Sequence, residues 1–174
     1  AQRALAMNDR VIINDITGGD ADPRIVEVVA EAGVPYIAMH MRGTPQTMQQ
    51  QTQYNDVVAD VVAELQERLT AIENVGIDRK RVALDPGFGF AKSVEQNWQL
   101  LRGLDALRAM GQPLLVGVSR KSMIYKLLGT SPSDGASLQG TKILNYQALC
   151  NGATILRVHD VKEAIEIVDL FNNK

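Results

Sequence analysis

A single cysteine, Cys150, is all that 174 residues supply, so no disulfide can form within the chain. Disulfide-stapled scaffolds are excluded, and the composition fits a reducing compartment such as the cytoplasm. Cys150 falls in a helical stretch, where it reads as a buried, inert thiol. Excess positive charge is missing too. Lys and Arg number 18 against 20 Asp and Glu, for a net charge of -2. Such a chain has no broad positive field for nucleic acid or an anionic membrane, so any anion must be held locally. No apolar run is long enough to cross a bilayer, and no signal peptide is legible at the start. Also missing are the P-loop G-x-x-x-x-G-K-[ST], a Cys/His metal cluster and a serine nucleophile elbow. The stretch GFGFAK falls short of a dinucleotide fingerprint.

What remains is ordinary globular material, 45% hydrophobic and 22% charged, enough for one domain with a real core. Short β-branched runs alternate with amphipathic ones. RVIIND (10–15), VPYIAMH (34–40), RVALDPGFGF (81–90), PLLVGVS (113–119) and ATILRVH (153–159) read as strands. Between and after them run helical patterns. One spans 21–33, with Asp22 as N-cap, Pro23 at the first position and Ile25, Val28, Val29 and Ala32 as its stripe. A longer one covers about 55–75, with Val58, Val61, Val62, Leu65, Leu69 and Ile72 at helical spacing. Ser93 and Gln96 form a capping box, opening a helix whose stripe holds Trp98, Leu101, Leu104 and Leu107. A short helix near 121–128, one ending near 150, and a last one capped by Asp160 complete the series. AQRALAM at the start reads as the tail of a helix.

Near-continuous apolar strands alternating with helices mean a parallel sheet covered by helices. An open doubly wound sheet and a (β/α) barrel both fit. In either, the C-terminal ends of the strands share one face, which is where α/β folds bind ligands. Each strand here ends in polar groups: Asn14 and Asp15, then Met39 with His40, then Asp85, then Ser119, Arg120 and Lys121, then Arg157, His159 and Asp160. Asp85 can accept two parallel bonds from a planar group with adjacent N–H donors, and Asn14 can donate and accept beside it. Lys121 can donate to a ring carbonyl or ring nitrogen. Arg157 and His159 alternate along one strand, lean to the same face and suit a phosphate or diphosphate. The ligand read from this set is a polar heterocycle carrying an anion. Blander readings stand beside it: Asp15 as turn chemistry, His40 as a structural histidine, Arg120 as a salt-bridge partner, Asp160 as a cap. Lys121, a cation at a helix start, is mildly misplaced against the dipole, which favours a functional role.

In this order IINDITGG, IAMHMRGTPQTMQ, LDPGFGFAKS, PLLVGVSRKSMI and LRVHDVKE resemble the dihydropteroate synthase family, over nearly the whole chain. The resemblance implies a TIM-type (β/α) barrel. It also implies condensation of p-aminobenzoate with hydroxymethyl-dihydropterin diphosphate, releasing pyrophosphate with Mg²⁺ present. Asn14, Asp85 and Lys121 are implied to hold the pterin, Met39 to line its pocket, and Arg157 and His159 to serve the diphosphate side, Arg157 also covering the pterin face. Phe90 and Ser119 resemble positions near the aminobenzoate, with Lys92 near the same mouth. Lys121, Arg157 and His159 are the candidates for catalysis. No metal ligand is implied within this chain, and a homodimer is implied through the last helices. A full barrel needs about 250 residues in eight units. Residues 1–174 are therefore expected to be a partial domain, about the last five units, inactive alone. The pterin domain of a methylfolate–corrinoid methyltransferase is the competing enzyme, disfavoured because SRKS and RVHD suit a diphosphate. A non-catalytic interaction chain is the third reading.

Overall fold

The computed structural model describes residues 1–8 and 10–173. After helix α1 (Gln2–Met7), strands and helices alternate: β1 (Ile13–Asp15), α2 (Arg24–Ala32), β2 (Tyr36–Met39), α3 (Val57–Asn74), β3 (Val82–Asp85), α4 (Val94–Arg102), α5 (Leu104–Arg108), β4 (Leu115–Val116), α6 (Ser122–Leu128), α7 (Gly135–Cys150), β5 (Ile155–Leu156) and α8 (Val161–Asn172). All strand pairs are parallel. β1, β2 and β3 form one ladder and β4 and β5 another, joined by a parallel bridge between Leu84 and Leu114. The order is thus sequential, with no reversal of direction across the sheet. That is the wall of a barrel rather than a doubly wound sheet, and the chain forms an incomplete (β/α) barrel.

Period-two alternation divides each strand between two environments. Tyr36, Ala38, Val82, Leu84, Leu114 and Val116 face the helices and join the main core with residues of α2 to α7. Ile37, Ala83 and Leu115 face the other way and form a small separate cluster with Ile155. Asn14 pairs with Ile37 and Met39 with Asp85, so these belong to that inner face.

Several local expectations shift. In α2 the buried pair is Val26 and Val29, while Ala32 is exposed. Asp22 caps nothing by its side chain beyond the Arg24 N–H, and its carboxylate pairs with the Arg24 guanidinium. The helix opened by the Ser93–Gln96 capping box breaks at Gly103, where a Cβ would lie 2.7 Å from the Val58 side chain. Cys150, expected to be buried, is exposed at the end of α7. Among the described residues no helix is long and apolar enough to cross a membrane.

Candidate functional site at the strand ends

Asp85 is the last residue of β3, and its side chain is 4% exposed. Its carboxylate accepts the Gly87 N–H at 2.8 Å. Burial raises its pKa above the usual carboxylate range, against the pull of that bond and of Lys121, Arg157 and Lys92. A buried anion with so few partners is poised to accept donors from outside.

Lys121 stands at the start of α6, without a side chain that caps the helix. Its ammonium donates to the Phe88 carbonyl and lies 5.0 Å from the centre of the Phe90 ring. Burial pulls its pKa down to about 8, with Asp85 opposing and Arg157 adding to the fall. The turn between them, residues 86–90, is drawn tight by glycine. Gly87 has φ +70, and a Cβ there would meet the His40 carbonyl oxygen at 1.9 Å. Met39 is buried directly opposite Asp85 across the ladder, and Asn14 is exposed on the same face.

Arg157 and His159 do not alternate within a strand as expected, because β5 ends at Leu156. The ladder stops once the Arg157 N–H has bonded the Val116 carbonyl. Arg157 is exposed and within electrostatic reach of Asp85 and Lys121. His159 turns to Ser119: its Nδ1 is 3.0 Å from Ser119 Oγ, which also accepts the His159 N–H at 3.3 Å. Ser119 is buried and thereby tied to the β5 end. So Asp85, Lys121, Arg157, Phe90 and Met39 gather around β3, while Ser119 and His159 form a second pair between β4 and β5. Asn14 reaches the group only by its register.

Other polar strand ends are structural. Asp15 lies on the helix side and accepts from Thr17, Gly19 and the Tyr36 hydroxyl. Burial opposes its charge, but those bonds outweigh it and hold its pKa low. Asp160, expected as a cap, makes no capping bond; it pairs with Arg120 instead.

Sequence reasoning gave little weight to what lies behind the 86–90 turn. Lys92, read as lining the mouth, is 4% exposed. Its Nζ donates to His40 Nδ1 at 2.9 Å and to the carbonyls of Gly87 and Phe90 at 3.2 and 3.1 Å. His40 Nε2 meets Glu64 at 2.9 Å, and Arg42 Nε donates to the other Glu64 oxygen at 2.9 Å. Burial lowers the His40 pKa, against the pull of the Glu64 bond. The tautomer carrying its proton on Nε2 serves both neighbours. Glu64 is held at about 2, first by the bond from His40 and then by Arg42. The signal for this cluster was present: Glu64 falls three residues after Val61 and one before Leu65, a charge beside the apolar stripe of α3.

Among the described residues no group of three or more His, Cys, Asp or Glu is placed to hold a metal ion. At the mouth Asp85 stands amid Lys92, Lys121 and Arg157, so these residues do not fit a bound Mg²⁺.

Residues 1–159 match the family model described as pterin binding enzyme. Among curated proteins, the dihydropteroate synthase of Escherichia coli K12 is 44% identical over 155 residues, 89% of this chain and 54% of that protein. The dihydropteroate synthase of Mycobacterium leprae is 38% identical over 94% of this chain and 60% of that protein. The chain therefore spans about half the length of the curated relatives it matches. Among solved structures, Yersinia pestis dihydropteroate synthase in a sulfonamide drug complex superposes with a TM-score of 0.88 at 38% identity, covering 93% of this chain and 58% of that one. The Xanthomonas albilineans dihydropteroate synthase with 4-aminobenzoic acid gives 0.86 at 36% identity, covering 98% and 60%.

Proposed function

The chain belongs to the pterin-binding enzyme family, and on that premise we propose that it forms the pterin and diphosphate side of a dihydropteroate synthase. The activity is proposed for the whole protein of which these strand ends are part. It condenses p-aminobenzoate with 6-hydroxymethyl-7,8-dihydropterin diphosphate and releases pyrophosphate, a step of folate synthesis.

The observation that carries the reading is the buried, under-partnered Asp85 carboxylate set against Lys121 and Arg157. Adjacent N–H donors on the pterin edge supply the two charge-assisted bonds that this carboxylate lacks. Asn14 borders the ring, Met39 packs beside it, and Lys121 donates to its carbonyl or ring nitrogen. Lys121 already spends one N–H on Phe88, which fixes its reach. Arg157 covers the ring and meets the diphosphate with His159. As the diphosphate leaves, its charge grows, and cations fixed where that charge develops lower the barrier. The dihydropterin can carry cationic character at its exocyclic methylene, so the neutral arylamine attacks without a protein nucleophile. Phe90 and Ser119 flank the arylamine, and a sulfonamide would compete there.

Mg²⁺ would pair with the diphosphate oxygens, as this ion prefers phosphate and water ligands; its protein ligands are proposed outside these residues. The helices α6 to α8 expose Leu127, Ile143, Ile165 and Leu170 and are the proposed face of a homodimer. Cytoplasmic residence fits the exposed Cys150 thiol.

The test is pyrophosphate release by the full-length protein given the pterin diphosphate and p-aminobenzoate. Turnover that needs both substrates supports the reading. Tight pterin binding with no release under any metal condition would remove it.

A further inference from the structure

The 86–90 turn carries the proposed arylamine contact, Phe90, and the carbonyl that steadies Lys121, so its height above β3 matters. Its backbone is pinned from several sides. The Gly87 N–H goes to Asp85, the Gly89 N–H to Asn97 Oδ1 at 2.6 Å, and the Phe88 carbonyl to Lys121. Two further carbonyls of the turn, those of Gly87 and Phe90, both point at one atom, Lys92 Nζ. The third bond of that ammonium goes to His40, whose ring is held by Glu64 on α3, itself clamped by Arg42. Arg42 in turn lies 3.9 Å over the Tyr54 ring. A continuous chain of polar contacts, buried at His40 and Lys92, thus runs from the long helix α3 to the turn. In its charged form Lys92 has three N–H donors, and each has a protein acceptor within reach. None is left for a ligand, which separates Lys92 from Lys121.

We propose that Lys92 is a positioning residue for the arylamine side of the site: seated on Gly87, Phe90 and His40, its ammonium sets the height of the 86–90 turn. The inference rests on the synthase reading above and adds a group that touches neither substrate. Its geometry makes a distinct demand. Asp85 is anchored in the β3 ladder and stays in place when the turn relaxes; Phe90 has no such anchor. Losing Lys92 therefore disturbs the arylamine more than the pterin.

The experiment uses the full-length protein with Lys92→Met, which keeps the length of the side chain and removes the donors. Steady-state pyrophosphate release should show KM for p-aminobenzoate raised at least tenfold, while pterin affinity by calorimetry stays within about threefold of wild type. Glu64→Gln, which leaves Lys92 in place, should move the same KM in the same direction by a smaller factor, and it carries the test if Lys92→Met does not fold. Lys92→Arg should not restore KM, since a planar guanidinium cannot seat on the three acceptors. Nitrogen-15 spectra of the wild type should show His40 as the Nε2–H tautomer. An unchanged arylamine KM, rescue by Arg, pterin affinity falling as far as arylamine affinity, or an Nδ1–H tautomer would each overturn the proposal. A wild-type protein that releases no pyrophosphate would instead remove the synthase reading, leaving the tautomer to decide the His40–Lys92 contact on its own.

Discussion

Arg120 and Asp160 form a two-pronged ion pair across the ends of β4 and β5, Nε to Oδ2 at 2.8 Å and Nη2 to Oδ1 at 2.9 Å. Arg120 also holds a left-handed φ of +52, its N–H bonded to Thr141 and its Nη1 to the Pro132 carbonyl. Its neighbours in sequence, Ser119 and Lys121, are both proposed site residues, and so is His159, next to Asp160. The pair therefore fixes the spacing of two site loops without facing a ligand.

Arg120→Gly separates the two roles, since glycine accepts the left-handed backbone while removing the guanidinium. Arg120→Gly and Asp160→Ala should each lower kcat by about tenfold, and the double variant should do little more, because one interaction is lost in all three. Kinetics on the full-length variants check this. Additive losses would mean that the two residues act separately.

Gly87→Ala places a Cβ where the His40 carbonyl oxygen stands, at a φ that L-residues avoid. Strain of about 1–2 kcal/mol from the backbone alone is joined by a clash that the turn cannot absorb in place. The variant should melt earlier and turn over far more slowly than wild type, read by thermal unfolding and by pyrophosphate release. Gly111→Ala is the control: it has positive φ, but nothing within 4 Å of the added carbon.

Burial pulls Lys92 to about 7 and Lys121 to about 8, both well below an ordinary lysine. A lysine with a depressed folded-state pKa binds fewer protons folded than unfolded between that value and its ordinary one. Unfolding free energy should therefore rise with pH from about 7 to about 10. Lys121→Met should flatten the part of this rise above pH 8. Chemical denaturation of the full-length protein across that range checks the slope.

Asp85→Asn keeps the shape and one acceptor but loses the charge. Pterin affinity should fall by about two orders of magnitude, the scale of exchanging two charge-assisted bonds for weaker ones. With the carboxylate gone, Lys121 loses what opposes its desolvation, so its pKa should fall below about 8. Calorimetry and the pH dependence of lysine carbon shifts measure the two effects.

The alternation of strand and helix, and hence the class, was readable because period two and period 3.6 differ so plainly over runs such as 55–75. The convergence of polar strand ends was readable for the same reason: parallel strands share a C-terminal face. What composition left open was barrel against open sheet. Both bury the same apolar strands; the motif resemblance pointed to the barrel, and the sequential pairing, with the Leu84–Leu114 bridge, shows it. Long-range partnerships were the other blind spot. Asp160 looked like a cap because capping is local; its partner lies 40 residues away. Lys92 was placed near the mouth only through the family resemblance of LDPGFGFAKS. Its burial depends on His40, 52 positions upstream.

The proposed ligand contacts run from Asn14 to His159 and are spread over all five units of the alternating pattern. No subset of consecutive units holds them all. Recognition of a small molecule by these groups is thus a global property of the chain, acquired only after its last segment has docked. A fluorescent pterin would report the final stage of assembly rather than the appearance of helices, and its signal would trail secondary structure during refolding.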